Sequence, residues 1–249
     1  MTRSKKLMAT EILFGINTAE EILKAGRRKV IRLVISRNEK NQRVTDLASL
    51  ARKAGVRIDF CDQRTIEKLA AGGHHQGVII ETEQMGKVDV DEAIGLEKDL
   101  KKAVWAGLDG ITDPMNLGAI IRSAACLGVS TVILPERRSA GLTPTAHKAA
   151  SGAMERINII EVVNLNQTII KLKAKGFWIY GLDMGGQALP KVDFTLPAFI
   201  IIGSEGAGLH EKTREHCDVI VSVPQKGGVE SLNASNAAAI VFYELSKKI

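Results

Sequence analysis

The chain has 249 residues, 45% hydrophobic and 25% charged, the balance of one large or two modest globular domains. Its net charge of +6 points toward a polyanionic partner, while an aromatic content of only 4% gives no support to a base-stacking platform of clustered rings. The three cysteines, Cys61, Cys126 and Cys217, lie far apart without a Cys-x-x-Cys pair, which argues against a disulfide framework or a zinc site.

The opening run Met1-Thr2-Arg3-Ser4-Lys5-Lys6 is basic but leads into no secretory apolar core. The most apolar stretch, Phe199-Ile200-Ile201-Ile202, is far too short to span a bilayer. The expectation is a cytoplasmic protein that binds no membrane. Residues 1–86 hold 16 Lys and Arg against 10 Asp and Glu, whereas residues 87–249 hold 18 of each. All the excess positive charge therefore sits in the N-terminal third, as in a module that grips a polyanion beside one that does chemistry. A solvated basic surface would look the same.

In chain order, Ile12-Leu13-Phe14 precedes a helix opening near Asn17-Thr18, with Ala19, Ile22 and Leu23 on its apolar face. Val30–Ile35 reads as a strand. A helix from Val44 to Ala54 stops at Gly55. Val56–Phe60 alternates as a strand, a helix follows over Thr65–Ala70, and Gly77–Ile80 is a closing strand. These elements predict a small α/β domain over residues 1–84. Residues 85–101 are charged, carry Gly86 and Gly95, and read as a linker with one helix.

A second α/β series fills residues 102–249. Strands are predicted at Ala103–Leu108, Thr131–Leu134, Asn158–Val162, Phe177–Gly181, Phe199–Ile202 and Val219–Val223. Helices are predicted at Leu117–Leu127, Leu165–Lys175, Leu209–His216 and Asn233–Ser246. Strands this uniformly apolar belong to a parallel sheet buried on both faces, and such sheets bind ligands at the carboxyl ends of their strands.

Four polar segments carry candidate chemistry. Asp113–Ala124 holds a turn, Asn116 as a helix cap, and Arg122 pointing off the apolar face. Gly203-Ser204-Glu205-Gly206-Ala207-Gly208 follows a strand directly. It is neither a Walker A loop nor a Rossmann fingerprint, and its glycines would let backbone approach a ligand. Val223–Ala238 crosses from a strand through Gly227 and Gly228 to a helix of small residues, with Ser231 and Asn233 at its N-terminus. His147–Arg156 gathers polar side chains, but His147 has no second ligand at a fixed spacing, so no metal is expected. Each segment alone also fits a cap, a turn or a packing device.

Together they resemble the SpoU/TrmH family of the knotted SPOUT methyltransferases. Asn116, Gly118, Ala119 and Arg122 meet its Asn-x-Gly-Ala-x-x-Arg run. Gly203, Glu205, Gly206 and Gly208 meet Gly-x-Glu-Gly-x-Gly. Ser231, Leu232, Asn233 and Ser235 meet Ser-Leu-Asn-x-Ser. Three such motifs in order are specific where one is not. Ser204, Gln225 and Asn236 depart from residues expected at their positions, which touches substrate detail.

The resemblance implies a parallel-sheet SPOUT domain with a C-terminal trefoil knot, behind a small α/β substrate-binding domain. It implies S-adenosylmethionine as cofactor, contacted by Gly203, Val223, Leu232, Ser231 and Gly208. Arg122, Asn116, Glu205, Ser231 and Asn233 are the implied catalytic set, and the implied assembly is a homodimer. His75-Gln76-Gly77 resembles a signature of the RlmB-like branch, which implies ribose 2'-O-methylation of a guanosine in 23S-type rRNA. The same chemistry on tRNA, or a non-catalytic RNA-binding ribosome assembly factor, remains open. A nucleotide-binding oxidoreductase is disfavoured by the missing fingerprint.

Overall fold

The computed structural model describes residues 9–227 and 231–249. The basic run Met1–Lys6 and Gly228, Val229 and Glu230 lie outside the described residues. The chain divides into two compact units at Gly86.

The first unit is built on strands β1 (Thr10–Phe14), β2 (Val30–Ser36), β3 (Arg57–Cys61) and β4 (Val78–Glu83), with helices α1 (Ile16–Ala25), α2 (Gln42–Lys53) and α3 (Gln63–Ala70). The sheet order is β1-β4-β2-β3. β4 runs antiparallel to both β1 and β2, and β2 runs parallel to β3. Alternation along β2 divides the core by face. Leu33 and Ile35 pack with α1 and α2, while Val34 packs with Ile66 and Ala70 of α3. His75-Gln76-Gly77 forms the turn into β4. Gln76 and Gly77 both have positive φ, 53° and 73°, and Val78 N–H donates to the His75 carbonyl at 3.0 Å. That pattern is a type I′ turn. A Cβ on Gly77 would stand 2.6 Å from Glu39 Oε2, so the triplet has a local structural reason to exist.

The second unit holds α4 (Val90–Leu96), β5 (Val104–Asp109), α5 (Pro114–Cys126), β6 (Thr131–Pro135), α6 (Pro144–Ala149), β7 (Asn158–Val162), α7 (Leu165–Ala174), β8 (Trp178–Ala188), β9 (Ala198–Gly203), α8 (Glu211–Glu215), β10 (Val219–Ser222) and α9 (Ala234–Ser246). Its six strands form a wholly parallel sheet in the order β10-β8-β9-β5-β6-β7. The central strands β5 and β9 are buried at every position. Val104, Ala106 and Leu108 face α5 and α9, and Trp105 faces the layer that holds α4 and α7. Each fully buried Leu, Ile or Phe of these layers contributes about 1.5–3 kcal/mol. The strand order reverses next to β5, so the carboxyl ends of β5 and β9 open a crevice of the kind that binds ligands.

Four expectations change. Residues 85–101, read as a linker with one helix, do hold that helix as α4, but its Val90 and Ala93 are buried in the second unit. There Trp105 Nε1 donates to Glu97 Oε1 at 2.6 Å. The cap of α5 is Asp113, not Asn116. Its carboxylate accepts from Met115 and Asn116 N–H, and Pro114 fills the first turn. The helix therefore starts three residues earlier than predicted, which frees the Asn116 side chain. Pro144–Ala149 is helical, with Thr143 as N-cap. β8 runs to Ala188, past the predicted end at Gly181.

Candidate active site

The three glycine-and-amide motifs meet at one carboxylate. Glu205 follows β9, and its Oε1 accepts from Asn116 Nδ2 at 3.0 Å, from Ala234 N–H at 3.2 Å and from Asn233 Nδ2. Asn233 Nδ2 also donates to Asn116 Oδ1 at 2.9 Å. The other end of Asn233 caps α9, its Oδ1 accepting from Ser235 N–H at 2.9 Å and Asn236 N–H at 3.4 Å. Hydrogen bonds to an ionised acceptor are the stronger kind, so one carboxylate ties the start of α5, the loop after β9 and the start of α9 together.

The glycines of the middle motif are needed for backbone packing. A Cβ on Gly203 would lie 2.3 Å from the Gly208 carbonyl carbon. Ser204 and Gly208 exchange backbone hydrogen bonds of 3.0 and 3.1 Å. Gly206 and Gly208 have φ of 82° and 67°, a region that side chains disfavour. The loop is thereby closed on itself, with Glu205 at its tip.

This loop walls a cleft of about 730 Å³, a volume typical of small-molecule sites. Gly203, Gly208, Val223, Ser231 and Leu232 all line it, together with Glu205. Leu182, Ile202 and Ala237 add apolar wall, and Ser204, Ser222 and Gln225 add polar groups. Ser231 makes no hydrogen bond among the described residues and stands apart from the Asn116–Glu205–Asn233 cluster.

Arg122 lies further along α5 and is exposed. It does not join that cluster. Its Nη1 donates to Ser151 Oγ at 3.3 Å. Ser151 sits at φ 50°, and its hydroxyl donates in turn to the Lys148 carbonyl at 3.4 Å. Burial pushes the Lys148 ammonium below its ordinary value. Gly118 sets this arrangement. A Cβ there would lie 2.5 Å from the Ala146 carbonyl oxygen, so its absence lets α6 press against α5 and brings Ser151 to Arg122.

Residues 103–243 match the model of the SpoU rRNA methylase family. The chain belongs to that family. Residues 12–85 match a second model, described as RNA 2'-O ribose methyltransferase substrate binding. A 23S rRNA (guanosine-2'-O-)-methyltransferase RlmB of Coxiella burnetii is 36% identical over 238 residues, 95% of each chain. An uncharacterized tRNA/rRNA methyltransferase of Mycolicibacterium gilvum is 36% identical over 248 residues, 99% of this chain and 79% of that one. Among solved structures, the SpoU methyltransferase AviRb of Streptomyces viridochromogenes, in complex with AdoMet, superposes with a TM-score of 0.79 at 25% identity. The match covers 96% of this chain and 90% of that one.

One wall of the cleft in this SpoU chain has no counterpart among the sequence motifs. In the ladder with β10, Ile220 pairs with Gly181 and the next residue, Val221, pairs with Gln187. Residues 182–186 stand outside that ladder, and Leu182, Asp183, Met184 and Gly185 line the cleft. Gly186 is required by the close approach of Ile220, whose carbonyl carbon would lie 2.6 Å from a Cβ there. Asp183 pairs with Arg214, and a Cβ on Gly208 would lie 2.5 Å from Asp183 Oδ1. Paired glycines inside a strand pattern were the available signal, because they mark a bulge or a close backbone approach.

Proposed function

We propose that this SpoU-family chain transfers a methyl group from S-adenosylmethionine to the ribose 2'-hydroxyl of a guanosine in 23S-type large-subunit rRNA. The observation that carries the reading is the Asn116–Glu205–Asn233 cluster on the rim of the 730 Å³ cleft. It assembles all three motifs beside a cavity whose aliphatic walls and scattered hydroxyls suit a nucleoside-bearing cofactor. The guanosine assignment leans on the RlmB relatives, which share 35–36% identity along nearly the whole chain.

The bound cofactor supplies a methyl on a positively charged sulfur, and the protein's share is positioning and electrostatics. Glu205 organises the loops. Its Oε1 is already occupied by three donors, which fits a structural anchor better than a proton acceptor. Gly203, Gly208, Val223, Ser231 and Leu232 hold the cofactor. The Arg122 guanidinium binds a substrate phosphate and stabilises the 2'-oxygen as its proton passes to solvent water and the methyl moves from the sulfonium, which leaves as a neutral thioether, while Ser151 orients Arg122.

The reading includes a homodimer. Met115, Ile240 and Tyr243 are 56%, 38% and 55% exposed on α5 and α9, and a second copy would cover them. It also includes the family's C-terminal trefoil knot. The protein works in the cytoplasm, with its RNA.

The test is mapping of 2'-O-methylation by mass spectrometry in rRNA and tRNA from a deletion strain, with the purified protein and S-adenosylmethionine restoring the lost mark. Loss at one guanosine of 23S rRNA is expected. Loss in tRNA instead would move the substrate. No lost mark and no cofactor binding by calorimetry would leave an RNA-binding assembly factor.

A further inference from the structure

A second cleft, of about 540 Å³, opens at the carboxyl ends of β5, β6 and β7. Its lining includes Arg137 and Arg138 after β6, Val163 after β7, and His210 and Lys212 around the start of α8. None of its residues belongs to the three motifs.

We propose that this cleft is an RNA-backbone subsite, which holds a phosphodiester of the substrate strand next to the target ribose. The inference rests on the methyltransferase reading above and assigns it a further binding site.

The charge is uncompensated. Arg137, Arg138 and Lys212 make no ion pair among the described residues, and Arg137 and Arg138 are exposed. Elsewhere in the same unit Lys171, Lys173 and Arg214 are each paired with a carboxylate. The cleft has two acids. Asp109 is buried and already engaged, with His210 Nδ1 at 2.8 Å from one oxygen and His210 N–H at 2.9 Å from the other. Glu211 is the second, and it leaves the cations in excess. Unpaired Arg and Lys facing a groove are the usual contacts to nucleic-acid phosphates.

The remaining features favour a nucleotide over a free anion. Val163 is 84% exposed, an aliphatic face that a ribose or base edge would cover. Arg138 holds φ at 59°, a conformation uncommon for residues other than glycine. The cleft has no Phe, Tyr or Trp among its lining residues, and its one imidazole, His210, is held by Asp109, so its contacts favour the backbone over base stacking.

Its place joins it to the methyl-transfer site. A Cβ on Gly110, which lines the second cleft, would lie 3.2 Å from His210 Cε1 and 3.4 Å from Ser204 Cβ. Ser204 lines the first cleft. The segment 203–210 therefore walls both. A strand whose ribose sits beside the first cleft would pass the segment 203–210 and bring a neighbouring phosphate to the cleft of Arg137, Arg138 and Lys212.

The experiment uses the full chain and an unmodified transcript of large-subunit rRNA as probe. RNA affinity is measured over a salt series, beside cofactor affinity by calorimetry. The double variant Arg137→Gln/Arg138→Gln should bind RNA roughly tenfold more weakly and flatten the plot of log affinity against log salt by about 1–2 units. Cofactor affinity stays at the wild-type value, and the loss is alike for transcripts of different sequence. Glu211→Lys should tighten RNA binding and steepen the slope. Wild-type affinity and slope in both variants, with the wild-type protein methylating the transcript, would overturn the subsite and leave the function standing. A wild-type protein that methylates neither rRNA nor tRNA takes down both.

Discussion

The missing side chain of Gly118 is what lets α5 and α6 touch, since a Cβ there would stand only 2.4 Å from the Ala149 Cβ. Gly118→Ala must push α6 outward. Overpacking of this kind costs about 1–3 kcal/mol and lowers the melting temperature by roughly 2–10 °C for a unit of this size. Because Ser151 follows α6 by two residues, methyl transfer should fall further than stability alone explains. Calorimetry beside a single-turnover assay checks this, and an unchanged melting curve would refute the packing argument.

Glu205 is predicted to act through the three groups it holds. Glu205→Ala removes the shared acceptor and should lower the single-turnover rate about 100-fold. Glu205→Gln keeps an oxygen in place but loses the charge-assisted bonds, so a smaller loss, about tenfold, is expected. Equal rates for Glu205→Gln and wild type would remove the residue from the catalytic set.

Arg122 and Ser151 make a graded pair. A lysine offers a point charge where the guanidinium offers a planar fork. Arg122→Lys should lose roughly 30-fold in turnover with cofactor affinity unchanged. Ser151→Ala should lose only a few-fold, since it orients the group without replacing it. A flat pH–rate profile and near wild-type turnover in Arg122→Lys would argue against a special guanidinium role.

The thiols should separate by reactivity. Burial pushes Cys217 up to about 12, while Cys126 is exposed. Ellman's reagent at pH 8 should label Cys126 fast and Cys217 only on unfolding, because the thiolate is the nucleophile. The folded state favours the neutral thiol of Cys217. Stability from this group is therefore complete below the ordinary thiol range, and it declines as pH rises from there toward about 12. Cys217→Ala should flatten the alkaline decline between about pH 9 and 11, as followed by denaturant titration. Labelling of all three thiols at one rate would contradict the burial.

What the sequence reveals depends on how locally each feature is determined. β5 and β9 are buried on both faces and read as continuous apolar runs, so their place in a parallel sheet was legible. The motif residues were legible by type and order, but not their meeting at one oxygen of Glu205, which joins residues 89 and 28 positions apart. α6 was missed although Thr143-Pro144 is a good cap and first-turn pair, because its six residues are too few to show a period. The extension of β8 was missed because Asp183-Met184-Gly185-Gly186 has turn composition, and only pairing with β10 holds part of it as strand. The Asp109–His210 contact spans 101 residues and left no sequence trace.

The anchoring of Glu205 by Asn233 and Ala234 also orders events in time. Two of the three donors that fix the loop after β9 come from the opening of α9, which is seated through Val241, Phe242 and Leu245. A nascent polypeptide that has not yet delivered α9 lacks two of the three tethers on that loop. On the role proposed for Glu205, catalytic competence is withheld until α9 has been made, and a product truncated before that helix is expected to be inert toward RNA rather than partly active.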